Sequence, residues 1–135
     1  MEKITSYIAS RFENYRAVSK LAKALKKTNF QVISTWHNRK GRQGCVAIQE
    51  AMIDLQELYQ AKCLIVLSKH GKSRGGYLYE NGYAHALRKR IFLIGPKVVV
   101  FHQLLGKEYC FKNVKDFAKF AKNCQSIQGF KGKNY

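Results

Sequence analysis

Glu80 is the only acid between Glu57 and Glu108 in a 135-residue chain that has 25 Lys and Arg against 8 Asp and Glu. It sits in the run Ser73 to Ala84, SRGGYLYENGYA. Gly75 and Gly76 break the chain ahead of a helix-forming segment, which puts Glu80 about one turn inside that helix. A carboxylate there has two uses. Turned outward, it complements the positive end of the helix. Turned inward, it faces whatever fills the adjoining crevice, and nearby cations hold it ionised. Gly82 costs about 1 kcal/mol relative to Ala in a helix interior, which implies a place of close packing. Asp54 is open in the same way, as a polar residue on a surface helix or as a second carboxylate turned towards a site. Trp36 and His37 stand at a strand end, where they either stack on or bond a ligand or serve as a structural Trp beside a loop His.

The elements that must position these groups follow from periodicity. Residues 3–9 form a β-prone apolar run. Residues 12–27 carry Val18, Leu21, Ala22 and Leu25 at helical spacing between basic residues. The segment 30–36, with Phe30, Val32 and Trp36, predicts a second strand that ends in a basic loop over 37–44. Ala47, Ala51, Leu55, Leu58 and Tyr59 predict a helix running into the strand 62–67, whose unbroken apolar character suits burial on both faces of a parallel sheet. A helix over 77–87 and a strand over 90–94, closed by Gly95 and Pro96, come next. Asn113, with Asp116 three residues on, opens a last helix in the manner of a capping box, and Phe117, Phe120 and Ala121 form its apolar face. Residues 1–124 are therefore expected to form one α/β domain, a doubly wound, flavodoxin-like parallel sheet with helices on both faces, followed by a basic polar tail over 125–135.

In such a sheet ligands bind beyond the carboxyl ends of the strands where the strand order reverses, here between the first and third strands. Residues 7–11 and 68–76 are placed there. So are Arg11 after the first strand, Arg39, Lys40 and Arg42 after the second, and Lys69, Lys72 and Arg74 after the third. A basic mouth over a switch point suits a small phosphorylated ligand better than a long polyanion.

Composition sets the outer bounds. The chain has 46% hydrophobic residues and one Pro, which excludes a disordered or low-complexity protein. The longest apolar runs are too short to span a bilayer, and the opening residues lack the core of a signal peptide. Cys45, Cys63, Cys110 and Cys124 contain no C-x-x-C pair, which fits a reduced, cytoplasmic setting. No His or Cys spacing resembles a metal site, and no cofactor is expected. His70 is placed in a loop near the ligand and His85 on a helix surface. A formal charge of +17 attracts polyanions, so nucleic acid remains a possible partner of the basic surface.

The run from Ser73 to Pro96 resembles the nucleoside 2-deoxyribosyltransferases and the related nucleoside monophosphate N-glycosidases, through Gly76, Glu80, Gly82 and Ala84 at the spacing Gly-x-x-x-Glu-x-Gly-x-Ala. Three further pieces agree in order: residues 3–10 with the opening strand that ends Tyr-x-Ala, residues 53–58 with the helix that carries an inward Asp, and residues 63–68 with the strand before the catalytic loop. Ser73 to Gly76, Glu80 to Ala84 and Gly95 to His102 are similar to a subgroup of short members. The likeness spans residues 3 to about 120.

It implies that Glu80 attacks the anomeric carbon to form a covalent glycosyl intermediate, a suitable task for a carboxylate beside an oxocarbenium-like centre. Tyr7 would orient Glu80, and Asp54 would handle the proton on the leaving base or hold a sugar hydroxyl. Ala9, Ser10, Arg11, Ser73, Arg74, Gly75, Gly76, Trp36 and His37 would line the substrate. The long-chain transferases carry an Asp six residues before the nucleophile, where this chain has Arg74. Ser73 to Gly76 instead supply phosphate donors next to a helix N-terminus, which implies a 5′-phosphorylated substrate. The resemblance also implies a homodimer or larger homo-oligomer. The competing reading is a non-catalytic basic α/β module that binds nucleic acid or a nucleotide.

Overall fold

The computed structural model describes residues 2–38, 46–69 and 76–127. Five strands are present: β1 (Ile4–Ala9), β2 (Phe30–Val32), β3 (Cys63–Leu67), β4 (Arg90–Ile94) and β5 (Cys110–Phe111). They alternate with four helices, α1 (Tyr15–Leu25), α2 (Val46–Gln60), α3 (Gly76–Ala86) and α4 (Val114–Asn123). All strands are parallel, in the order β2-β1-β3-β4-β5. This is the flavodoxin-like α/β architecture expected from the sequence. Ser6 pairs with Cys63 and Ala9 with Val66, so the switch point falls between β1 and β3.

Helices α1 and α4 pack together, and α2 and α3 pack together, leaving the sheet between the two pairs. β3 and β4 are buried along their whole length, β3 as its continuous apolar sequence requires and β4 with Arg90 buried at its start. Beneath α4 lies an aromatic cluster in which the Phe117 ring centroid is 5.6 Å from those of Phe30 and Phe92 and 5.1 Å from that of Phe111. These edge and tilted contacts add to the large apolar area that the rings remove from water. Asn113 caps α4 as expected, its side chain accepting from the Asp116 backbone N–H at 2.9 Å. Among the described residues no helix is long and apolar enough to cross a membrane.

Several local expectations are revised. β2 stops at Val32 rather than reaching Trp36, because the chain then turns back onto β1. The Ser34 hydroxyl accepts from the Ile8 N–H at 3.1 Å, and Trp36 lies in a 3-10 turn with its indole N–H donated to the Ile8 carbonyl at 2.7 Å. A short 3-10 turn over Phe12–Asn14 precedes α1. Gly82 is not at a close contact, since a Cβ built there meets nothing within 4 Å. The position that does demand glycine is Gly95, with φ +104° and a built Cβ 2.4 Å from the Ser68 carbonyl oxygen. Lys89 also gains a role: its ammonium donates to the Tyr59 and Ala61 carbonyls, closing the carboxyl end of α2.

Candidate functional site

Tyr7 is completely buried in β1, and strand alternation turns its side chain towards the layer of α2 and α3. There its hydroxyl donates to Oε2 of Glu80, one turn into α3 and only partly buried. The pair is 73 positions apart in the chain and meets at the switch point. Burial pushes the Tyr7 phenol far above its ordinary range, and the charges of Glu80 and Asp54 push it further, followed by the hydrogen bond to Glu80 and the charge of Glu57. Tyr7 therefore stays a donor at any physiological pH. A fixed donor commits one lone-pair direction of the carboxylate and with it the orientation of the group.

The second wall is α2. Its acids Glu50, Asp54 and Glu57 fall at i, i+4 and i+7, which puts them on one side of the helix. Glu50 and Asp54 are buried. Glu57 accepts from the Thr35 backbone N–H at 3.1 Å and from the Thr35 hydroxyl at 2.9 and 3.1 Å, which ties α2 to the turn after β2. Glu80, Asp54 and Glu57 thus all act on one buried tyrosine. Cationic substrate parts, or a centre that becomes positive during reaction, are what such a cluster stabilises.

The other expected residues divide. Ala9 and Ser10 are buried at the end of β1, and the Ser10 hydroxyl donates to the Leu67 carbonyl at 2.6 Å while accepting from the Asn14 amide at 3.0 Å. Ser10 thereby locks the mouths of β1 and β3 together. Arg11 pairs with Glu13 at 3.7 Å. Trp36 and His37 are buried, and their polar atoms serve the protein: the indole bonds Ile8, and the imidazole lies 3.0 Å from the Ser34 carbonyl. Gly76 opens α3. Ser73, Arg74 and Gly75, the proposed phosphate loop, lie outside the described residues, as do Arg39, Lys40, Arg42, His70 and Lys72.

Glu50 was missed, and the burial of His102 was not foreseen. Glu50 is an acid one turn before Asp54, and the three-acid spacing on a helix without a single Lys or Arg was the available signal. His102 lies in a 3-10 turn, Val100–Leu104, beyond β4. It is fully buried, and neither ring nitrogen has a hydrogen-bond partner among the described residues. Burial lowers its pKa to about 4, with help from His85 and Lys97. His85 itself is half-buried rather than on the surface, and burial lowers its pKa too. Among the described residues no group of three or more His, Cys, Asp or Glu could hold a metal ion.

The fold is shared with solved structures. No protein-family model and no curated protein sequence matches the chain. A 2-deoxyribosyltransferase from the psychrotolerant bacterium Bacillus psychrosaccharolyticus superposes with a TM-score of 0.70 at 18% identity, over 93% of this chain and 98% of that one. The CMP N-glycosidase BcmB of Clostridium botulinum gives a TM-score of 0.59 at 14% identity, over 86% of this chain and 96% of its own. At these identities the likeness establishes a common fold.

Proposed function

We propose that the chain is an enzyme that cleaves the N-glycosidic bond of a (deoxy)nucleoside or its 5′-monophosphate. The observation that carries this reading is the buried Tyr7 hydroxyl bonded to the Glu80 carboxylate at the switch point, with Asp54 in the facing wall. The names of the two solved structures, a deoxyribosyltransferase and a CMP N-glycosidase, support the same chemistry on the same fold.

In the proposed reaction an oxygen of Glu80 forms a bond to the anomeric carbon as the bond to the base nitrogen breaks. The departing electron pair stays on the base, which takes a proton delivered through Asp54. Tyr7 keeps Glu80 aimed at the sugar, and the acids around it favour the positive charge that develops at the anomeric carbon. Water or a second base then attacks the same carbon and releases the Glu80 carboxylate. Ser73 to Gly76 and the N-terminal end of α3 hold the 5′-phosphate, the natural use of free backbone donors at a helix start.

A homo-oligomer belongs to this reading. Ile48, Met52 and Tyr59 on α2 and Tyr79 on α3 are exposed, Tyr79 at 72%, and the open surface at Gly82 lets a second helix approach closely.

Deoxynucleoside monophosphates incubated with the protein should yield free base. Glu80→Ala should lower that rate by on the order of a thousandfold or more while the fold is kept. Equal release by the variant sinks the assignment. A second free base distinguishes transfer from hydrolysis, because only a transferase makes a new nucleoside.

A further inference from the structure

The outer face of α1 and α4 has no part in this chemistry, and its charge follows a pattern. Arg16, Lys20, Lys23 and Lys27 are spaced i, i+4, i+7 and i+11, one continuous stripe along α1 and just past its end. Lys115, Lys119 and Lys122 are spaced i, i+4 and i+7, a second stripe along α4, and Lys112 lies two residues ahead of that helix. All eight are exposed, and among the described residues none is held in an ion pair. The two helices are neighbours on one face of a parallel sheet, so both run antiparallel to the strands and parallel to each other. Packed helices lie roughly 10 Å apart, and an 11-residue helix is about 16 Å long.

We propose that this face docks duplex nucleic acid through its phosphates, without reading sequence. A duplex carries one phosphate per about 1.7 Å of axis, so two rows of cations at this separation meet phosphates along both rows. The outward positions decide between polyanions. Single strands are held by aromatic platforms. Here the only exposed aromatic on either helix is Tyr15, in the first turn of α1, and the Arg16 guanidinium already lies 5.6 Å from its ring centroid. An anionic membrane is held best by apolar side chains that enter it. The exposed residues of α4 are Lys115, Asp116, Lys119, Lys122 and Asn123, with no apolar side chain among them. Phe117 and Phe120 turn towards the core.

The test is the binding of a labelled 20-base-pair duplex of mixed sequence to the full chain across a salt series. Lys20→Gln with Lys119→Gln should weaken binding about thirtyfold near 0.15 M salt and reduce the slope of log affinity against log salt by about 2. The control, Lys62→Gln with Lys107→Gln, removes the same charge elsewhere and should cost less than about threefold. Both pairs should leave base release unchanged, which separates this outcome from a failure of the enzymatic reading. Equal losses in the two variants would mean attraction by bulk charge and would overturn the proposal. Tighter binding to single strands or to phosphatidylserine vesicles, or no duplex binding at all, would overturn it as well.

Discussion

Helices α2 and α3 hold four acids and neither a Lys nor an Arg, whereas α1 and α4 hold six Lys or Arg and a single acid. The two layers flank the same sheet and are built by the same rule of an apolar face turned inward, yet they spend their polar residues differently. In α1 and α4 the inward face is purely apolar, and the charges stand in water where they cost little. In α2 the inward face includes Glu50 and Asp54, and carboxylates taken out of water are expensive unless something compensates them. The outward faces are also exchanged: α2 and α3 expose Met52, Tyr59 and Tyr79 where α1 and α4 expose lysine. One layer therefore keeps its charges in water, and the other takes two carboxylates out of it.

Mutations should separate the layers. The largest stability loss is expected from Phe117→Ala, which opens a cavity in the aromatic cluster under α4 and should cost about 3–5 kcal/mol. Urea unfolding measures this, and the folded fraction should retain its rate of base release. Tyr7→Phe tests the opposite layer, since it removes one hydroxyl and keeps the ring. The turnover rate should fall about a hundredfold with little change in KM, the pattern of a lost orienting contact. A Phe variant as fast as the parent would break the contrast between the layers.

The smallest effect concerns His102. Its folded pKa of about 4 lies below the ordinary value of 6.5, so in the window between them the unfolded chain takes up a proton that the folded chain refuses. Stability should therefore fall as pH drops from 6.5 to about 4 and level off below. His102→Leu should remove that slope in a pH series of urea midpoints, and an unchanged slope would assign it to other groups.

What was legible in the sequence follows the range of the forces involved. β4 is apolar from Ile91 to Ile94 and falls on the expected residues, and the Asn113 cap is a contact across three positions. The end of β2 was not legible, because Ser34 and Trp36 leave the strand to bond Ile8, 26 and 28 positions away. β5 has two residues, too few for any periodicity to register. For the site, sequence alone placed Tyr7 and Glu80 at one end of the sheet, and the resemblance to the deoxyribosyltransferases supplied the idea that they touch. The burial of His102 depends on how a turn folds over the end of β4 and left no mark in its own residue pattern.

Among the described residues, the separation of charge between the layers amounts to a dipole perpendicular to the sheet. In the field of a polyanion such a body rotates before it makes contact, so that encounters begin with α1 and α4 foremost. The mouth of the crevice opens along the strand axes, at right angles to that dipole. It would then face sideways along the polyanion's surface, open to small molecules that diffuse past.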